Sequence, residues 1–349
     1  MKKLLVITQK VDKNEQLLGF FIEWLRGFSK RFDKVTVLCL EKGKFELPNN
    51  VKVISLGKDR GLPKISWLMN FYKYILGHRK EYDSVFVHMN PRYVVYGGIP
   101  WRLMGKKISL WYAHGHISPM LRLADKLTNI SFTSTSEGYR VDSTKKVVVG
   151  QGIDTERFRP NSENENRKFR IISIGRIAPV KNYETLIKAV SSLDSSKIEV
   201  KIIGGIGKKE DQKYLNSLKE LAKEESLPGV VDFVGPVSNY EIINTLQSSD
   251  LFVNMSHTGS LDKAILEAMS TGVIVLTCNE ALKDVLGRYN KKLMYPKKDH
   301  QALREKIIWA MDLDLREREE ISEDLRKIVI EEHNLSGLMD KISTRLINS

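Results

Sequence analysis

The sequence predicts an α/β protein built from two doubly wound domains that face each other across a cleft. Three observations carry this. The chain has 349 residues, too many for one typical domain and suited to two. Short, unbroken Val/Ile/Leu runs alternate with stretches of helical period, the pattern of parallel strands covered on both faces. A polar stretch with Pro160, FRPNSENENRK at 158–168, separates two such series and reads as a linker.

The first series places strands at 4–8, 35–40, 51–56, 84–89, 108–113, 130–134 and 146–150. A first helix is expected over 15–32, with Leu18, Phe21, Ile22 and Leu25 on one face and Gly19 inside it. The second series places strands at 169–175, 199–205, 230–235, 251–256 and 273–278. Residues 316–349 read as charged helix, broken at His333–Asn334. The expected division is a first domain over 1–160, a second over 161–332, and a last helix, 333–349, returning to the first. Open α/β sheets bind ligands beyond the carboxyl ends of their strands, so two such edges would build one site.

Composition narrows the class. The chain is 42% apolar and 28% charged, which excludes wholesale disorder. No run approaches the roughly 20 apolar residues of a membrane span. The apolar run in MKKLLVITQK is shorter than a signal-peptide core. Cys39 and Cys278 sit in apolar runs and read as buried thiols of a reduced, cytoplasmic protein. No Cys/His spacing suggests a metal site, and Asp312 and Asp314 lie in a charged late segment expected to be solvated surface. Charge is uneven. Residues 1–160 carry 28 Lys and Arg against 14 Asp and Glu, and residues 161–349 carry 28 against 29. The basic first half is expected to face something anionic, such as a lipid head group, a phosphorylated acceptor or a membrane surface. No aromatic-basic motif of the known RNA modules is present, so nucleic acid is not expected.

Two stretches carry candidate chemistry. In SIGRIAPVKNYETLIKAV, 173–190, a strand ends at Gly175 and Arg176 follows at once. Asn182 is placed to cap the helix whose apolar face is Leu186, Ile187, Val190 and Leu193. A guanidinium fork and a flexible ammonium, Arg176 and Lys181, suit a diphosphate. In HTGSLDKAILEAMSTG, 257–272, a loop after a buried strand opens a helix whose N-terminal N–H groups and dipole favour a phosphate. Glu267 shares a helix face with Lys263, an i,i+4 pair, and Asp262 is a first-turn acid.

The two motifs, some 75 residues apart, resemble the C-terminal domain of retaining glycosyltransferases of the GT-B fold, family four. VVGQGIDTERFRP, 148–160, is similar to that family's interdomain segment. The likeness spans the second half and, less closely, residues 108–160; the first 107 residues share only the pattern of alternation. The resemblance implies two Rossmann-like domains and transfer of a sugar from a nucleotide diphosphate sugar to a glycan or lipid-linked acceptor, without cofactor or metal. It implies that Arg176 and Lys181 hold the departing diphosphate and that Glu267 binds the ribose. Gly204 and Gly205 would allow close approach of the donor, and Val234 and Gly235 would lie near the base. Gly259, Ser260, Leu261, Asp262 and Lys263 would line the donor's phosphate and sugar. His114, in WYAHGHIS, would contact the transferring sugar, with His116 the weaker candidate. Gly259 departs from the family, which has a glutamate there, so Asp262 is expected to supply the carboxylate one turn later. The alternative is a catalytically degenerate module of the same fold that binds a nucleotide or a partner. The loop after the first strand departs as well, with one glycine in place of a glycine-rich stretch.

Overall fold

The computed structural model describes residues 2–15, 17–161, 168–256 and 261–348. In chain order these form β1 (Lys3–Val11), α1 (Phe21–Ser29), β2 (Lys34–Lys42), β3 (Val51–Ser55), α2 (Lys64–Gly77), β4 (Ser84–His88), α3 (Pro91–Leu103), β5 (Lys107–Trp111), α4 (Pro119–Leu127), β6 (Ile130–Thr133) and β7 (Lys146–Val148). There follow β8 (Phe169–Ile174), α5 (Glu184–Val190), β9 (Ile198–Ile203), α6 (Asp211–Glu224), β10 (Val231–Gly235), α7 (Ile242–Gln247), β11 (Leu251–Asn254), α8 (Lys263–Ser270) and β12 (Ile274–Thr277). The remainder is helical: α9 (Asn290–Leu293), α10 (His300–Asp312), α11 (Leu315–Glu332) and α12 (Leu335–Ile347). The chain divides into two compact units, residues 1–152 with 335–349, and residues 153–334.

Unit 1 is a seven-stranded parallel sheet in the order β3-β2-β1-β4-β5-β6-β7. Alternation along each strand sends side chains to two cores. Leu4, Val6, Val35 and Phe86 meet α1 and α12 on one face. Leu5, Ile7, Val85 and Leu110 meet α2, α3 and α4 on the other. The helix starts are written in the sequence. Asn90 accepts from the Arg92 N–H at 3.2 Å and Ser118 from the Leu121 N–H at 3.1 Å, each followed by a proline suited to the first helical turn. Arg31, on the stretch leaving α1, pairs with Asp340 of α12 at 2.7 Å. A Cβ on Gly27 would stand 2.5 Å from Met339 Cγ, so that glycine sets the close approach of the two helices.

Unit 2 is a five-stranded parallel sheet in the order β10-β9-β8-β11-β12. The strand order reverses between β8 and β11, which is where open sheets of this kind hold ligands.

Three local expectations are corrected. The first helix begins at Phe21 rather than 15; Gly19 lies in the turn ahead of it, where its N–H donates to the Glu15 carbonyl at 2.9 Å and a Cβ would come within 2.5 Å of that oxygen. The division falls at Gly152/Ile153 instead of 160/161. Phe158 is no linker residue: it is 1% exposed in the core of unit 2, and its carbonyl accepts from Ser270 Oγ at 2.6 Å and Arg326 at 2.9 Å. Asp312 and Asp314 are exposed, as expected, and Asp314 also caps α11, accepting from the Glu317 N–H at 2.7 Å.

His88, at the end of β4, is 2% exposed and stacks on Phe21 at 4.2 Å, with Trp24 edge-on. Burial pushes its pKa down from 6.5 to about 3. The unfolded chain takes up that proton near pH 6.5 and the folded chain does not, so stability falls as pH drops below 6.5. Four of the five tryptophans lie in unit 1, so their fluorescence reports its unfolding. Denaturant melts should show a loss of about 2 kcal/mol from pH 7 to pH 5 attributable to this group. His88→Gln should flatten that slope. An unchanged slope in the variant would show that another group is responsible.

Candidate functional site

At the carboxyl ends of β8, β9 and β10 the unit 2 sheet is edged by glycines. β8 is followed by Gly175, β9 by Gly204 and Gly205, and β10 ends on Gly235. They are hydrogen-bonded side by side: the Gly175 N–H donates to Ile203 O at 2.9 Å, the Ile177 N–H to Gly205 O at 2.9 Å, and the Gly204 N–H to Gly235 O at 2.9 Å. Gly204 has φ +153°, and a Cβ there would stand 1.9 Å from the Gly175 carbonyl oxygen. Gly235 has φ +85°. Two of these backbones therefore exclude ordinary L-residues, and the edge at Gly204 and Gly235 is bare backbone. Val234 is 42% exposed at the end of β10.

The loop after β8 carries the basic pair. Arg176 is exposed and has no ion-pair partner among the described residues. Lys181 lies over Gly175, where a Cβ would be 3.1 Å from its Cε. Its ammonium bonds Asp262 at 2.6 Å, with both side chains about four-fifths buried. That ion pair crosses the strand-order reversal, joining the β8 loop to the start of α8. Asn254, the last residue of β11, donates to the same carboxylate oxygen at 3.1 Å. The other oxygen accepts from the Ala264 N–H and caps α8. Tyr183 completes the cluster, its hydroxyl donating to Gly175 O at 2.9 Å. Burial, then the Asp262 charge, raises that phenol well above its ordinary range, so it stays a neutral donor.

One turn into α8, Glu267 is 5% exposed. It accepts from Lys263 and, at 3.1 Å, from the Asn239 amide. Lys263 also faces the Phe158 ring at 5.8 Å. Asn239 in turn accepts from Arg157, whose guanidinium stacks on Tyr240 at 4.3 Å. Leu261 is 5% exposed and packs into the unit 2 core, so only its backbone is available to a ligand. Gly259 and Ser260 lie outside the described residues.

Of the residues singled out from sequence, the structure thus gathers Arg176, Lys181, Gly204, Gly205, Gly235 and Asp262 at one sheet edge, with Lys263 opening α8 and Glu267 one turn along it. His114 belongs to unit 1. It is exposed just beyond β5, its N–H donates to Gly138 O at 2.9 Å, and its Nδ1 accepts from the His116 N–H at 3.2 Å. Asn182 does not cap α5: it closes a 3-10 turn in the left-handed region, φ +51°, and its amide donates to Thr185 Oγ1 at 2.6 Å. Sequence reasoning missed Asn239, Arg157, Asn254 and Tyr183. Asn239 was recoverable in principle, because it lies in the loop beyond the carboxyl end of β10.

A family model described as glycosyl transferases group 1 matches residues 154–328. D-inositol 3-phosphate glycosyltransferase of Streptomyces scabiei is 27% identical over 185 residues, 46% of this chain and 40% of that protein. Mannosylfructose-phosphate synthase of Agrobacterium fabrum is 29% identical over 138 residues, 36% of this chain and 30% of that protein. The chain thus aligns with less than half the length of these curated relatives. The crystal structure of Anabaena Alr3699/HepE in complex with UDP and glucose superposes with a TM-score of 0.80 at 16% identity, covering 99% of both chains. That likeness establishes the fold, two Rossmann-like units of the GT-B architecture.

The glycine edge makes a stability prediction. Gly204→Ala should lower the unfolding midpoint of unit 2 by an amount equivalent to about 1–3 kcal/mol, because either the alanine or the Gly175 carbonyl must move. Gly229→Ala is the control: φ is +80° there but nothing lies within 4 Å of the added Cβ, so only a backbone cost of about 1 kcal/mol is expected. Equal losses would mean that the close approach at Gly204 is unimportant.

Proposed function

This chain belongs to the glycosyl transferases group 1 family, and from that premise we propose that it transfers a sugar from a nucleotide diphosphate sugar to a glycan or lipid-linked acceptor, with retention at the anomeric carbon. The observation that carries the reading is the basic pair, Arg176 and Lys181, beside a strand edge where Gly204 and Gly235 hold backbones that exclude other residues. The diphosphate lies against that edge and the α8 N-terminus, where N–H groups and the helix dipole favour an anion. Glu267 takes the ribose hydroxyls, and Gly204, Gly205, Val234 and Gly235 border the nucleoside. The UDP bound in the Anabaena structure favours a uridine donor. His114 of unit 1 is assigned to the transferring sugar.

The chemistry proposed is electrostatic. As the glycosidic bond to the diphosphate breaks, charge grows on the phosphate oxygens, and donors already in place stabilise it without reorganisation. An ammonium has three N–H donors. Asp262 takes one and so aims the other two of Lys181. Both oxygens of Asp262 already accept from protein donors, so its first role is to position Lys181 rather than to bind the sugar. No metal ion is needed in this scheme, because Arg176, Lys181 and the helix N-terminus supply the positive charge.

Two measurements test the reading. In a thermal-shift panel of UDP, GDP, ADP and their common sugars, one base should stabilise the wild type, with or without EDTA. Saturation at about 100 times Kd corresponds to about 2.7 kcal/mol, and Arg176→Ala should lose most of the shift. No shift with any nucleotide would reject a nucleotide donor. Asp262→Asn keeps the helix cap but removes the anchoring charge. Turnover should fall by about tenfold or more as Lys181 loses its aim. Affinity for the nucleoside diphosphate should hold or improve, since a carboxylate no longer faces the phosphates. Unchanged turnover would remove Asp262 from the mechanism.

A further inference from the structure

Unit 1 covers one face of its sheet with α2, α3 and α4. The outer side of that layer is unusual. α2 exposes Ile65 (64%), Met69 (66%) and Leu76 (45%), at spacings of four and seven, which put them on one helical stripe. α3 exposes Tyr96 (36%), Ile99 (62%) and Leu103 (84%), again one stripe at spacings of three and four. The helices are neighbours, linked by the Tyr72 hydroxyl donating to Tyr96 O at 3.1 Å. These six are two-thirds of the nine large apolar side chains that unit 1 exposes among its described residues. Apolar surface concentrated in this way marks an interaction site, where scattered exposed leucines do not.

Charge says what covers it. Residues 60–80 contain no Asp or Glu, nor do residues 84–124. Lys64, Lys73, Arg79 and Arg92 are exposed beside the stripes. At their end lies a hollow of about 340 Å³ between Lys64, Trp67, Arg92 and Tyr96, where basic and amphipathic aromatic side chains converge. A second copy of the same face would bring like charges together, so self-pairing is disfavoured. The matching occupant is apolar beneath and anionic above, which is the make-up of a bilayer with acidic lipids. Long basic side chains reach head groups while their stems lie along the apolar region, and aromatic rings settle at the boundary.

We infer that the outer face of α2 and α3 docks unit 1 onto an anionic membrane surface. The stripes enter the head-group boundary as an interfacial surface does, and the hollow between Lys64 and Arg92 receives an acidic head group. No described helix is long and apolar enough to cross a membrane, so this is attachment to one leaflet. The inference concerns unit 1 alone and does not depend on the donor chemistry of unit 2.

The test is flotation of the full chain with vesicles of phosphatidylcholine, alone or with phosphatidylglycerol. Wild type should bind the acidic vesicles about tenfold or more tightly than the neutral ones, and high salt should release it. The double variant Ile99→Glu, Leu103→Glu changes exposed positions, so its unfolding midpoint should match wild type while vesicle binding is lost. Leu315→Glu, at a 68% exposed position on α11 of unit 2, should bind as wild type does. Equal binding to both vesicle types, no binding, or full binding by the double variant would overturn the proposal. So would vesicle-independent self-association that the double variant abolishes, since the face would then join two copies. Nucleotide-induced thermal shifts on the same samples keep a failure of the donor reading separate from a failure of this one.

Discussion

The site in unit 2 depends on one close approach, that of Gly204 to the carbonyl of Gly175. A side chain at 204 would stand 1.9 Å from that oxygen, so the ends of β8 and β9 can lie together only as bare backbone. Much of the local arrangement follows from this. The β8 loop leaves the sheet directly above the contact. Tyr183 also donates to the Gly175 carbonyl. Lys181 passes over Gly175 with little room to spare. The result is a stretch of bare peptide edge with Arg176 and Lys181 beside it, a combination suited to an anionic ligand that must come close to the chain.

The Lys181–Asp262 pair is the second constraint, and it acts across the strand-order reversal. Two mostly buried charges cost desolvation, which is recovered only with good geometry and further hydrogen bonds. Here Asn254 and the α8 N-terminus supply those bonds. The same carboxylate therefore caps a helix, holds a lysine and ties together the two loops at the switch point. Further along α8, the Arg157–Asn239–Glu267–Lys263 chain has a similar role, keeping a buried glutamate paired and oriented. Within this site positive charge is paired locally, Lys181 with Asp262 and Lys263 with Glu267. Unit 1 instead sets exposed Lys and Arg on α2 and α3 beside exposed apolar side chains.

All twelve strands were legible in the sequence: central strands such as β4 and β11 are apolar runs buried on both faces, and the part-exposed edge strands β3, β7 and β10 still carry enough Val, Ile and Phe to stand out. Helix starts were only partly legible: Asp262, read as a first-turn acid, caps α8, whereas Asn182, read as a cap, closes a 3-10 turn ahead of α5. They were misread where tertiary contact decides. Gly19 has helical neighbours in sequence, yet it lies in a turn against the Glu15 carbonyl. Phe158 sits in a polar stretch and reads as linker, yet Ser270 and Arg326, over a hundred residues away, hold its carbonyl inside unit 2. In the site, residues on the two motifs were found because their spacing is local. Asn239, Arg157 and Asn254 were not, because their significance lies in hydrogen bonds to Glu267 and Asp262 from other loops. Asp262 itself was recognised, but as a group for the sugar; its attachment to Lys181 spans 81 residues and leaves no trace in spacing.

The central claim is that a nucleoside diphosphate lies on the glycine edge of unit 2, and locating the bound nucleotide tests it most directly. Hydrogen–deuterium exchange of the full chain with and without saturating UDP reads each amide separately. The account predicts slowed exchange in residues 174–183, 203–207, 234–240 and 262–267, with no change in α2 and α3. Protection confined to unit 1, or none at concentrations where UDP demonstrably binds, would contradict it.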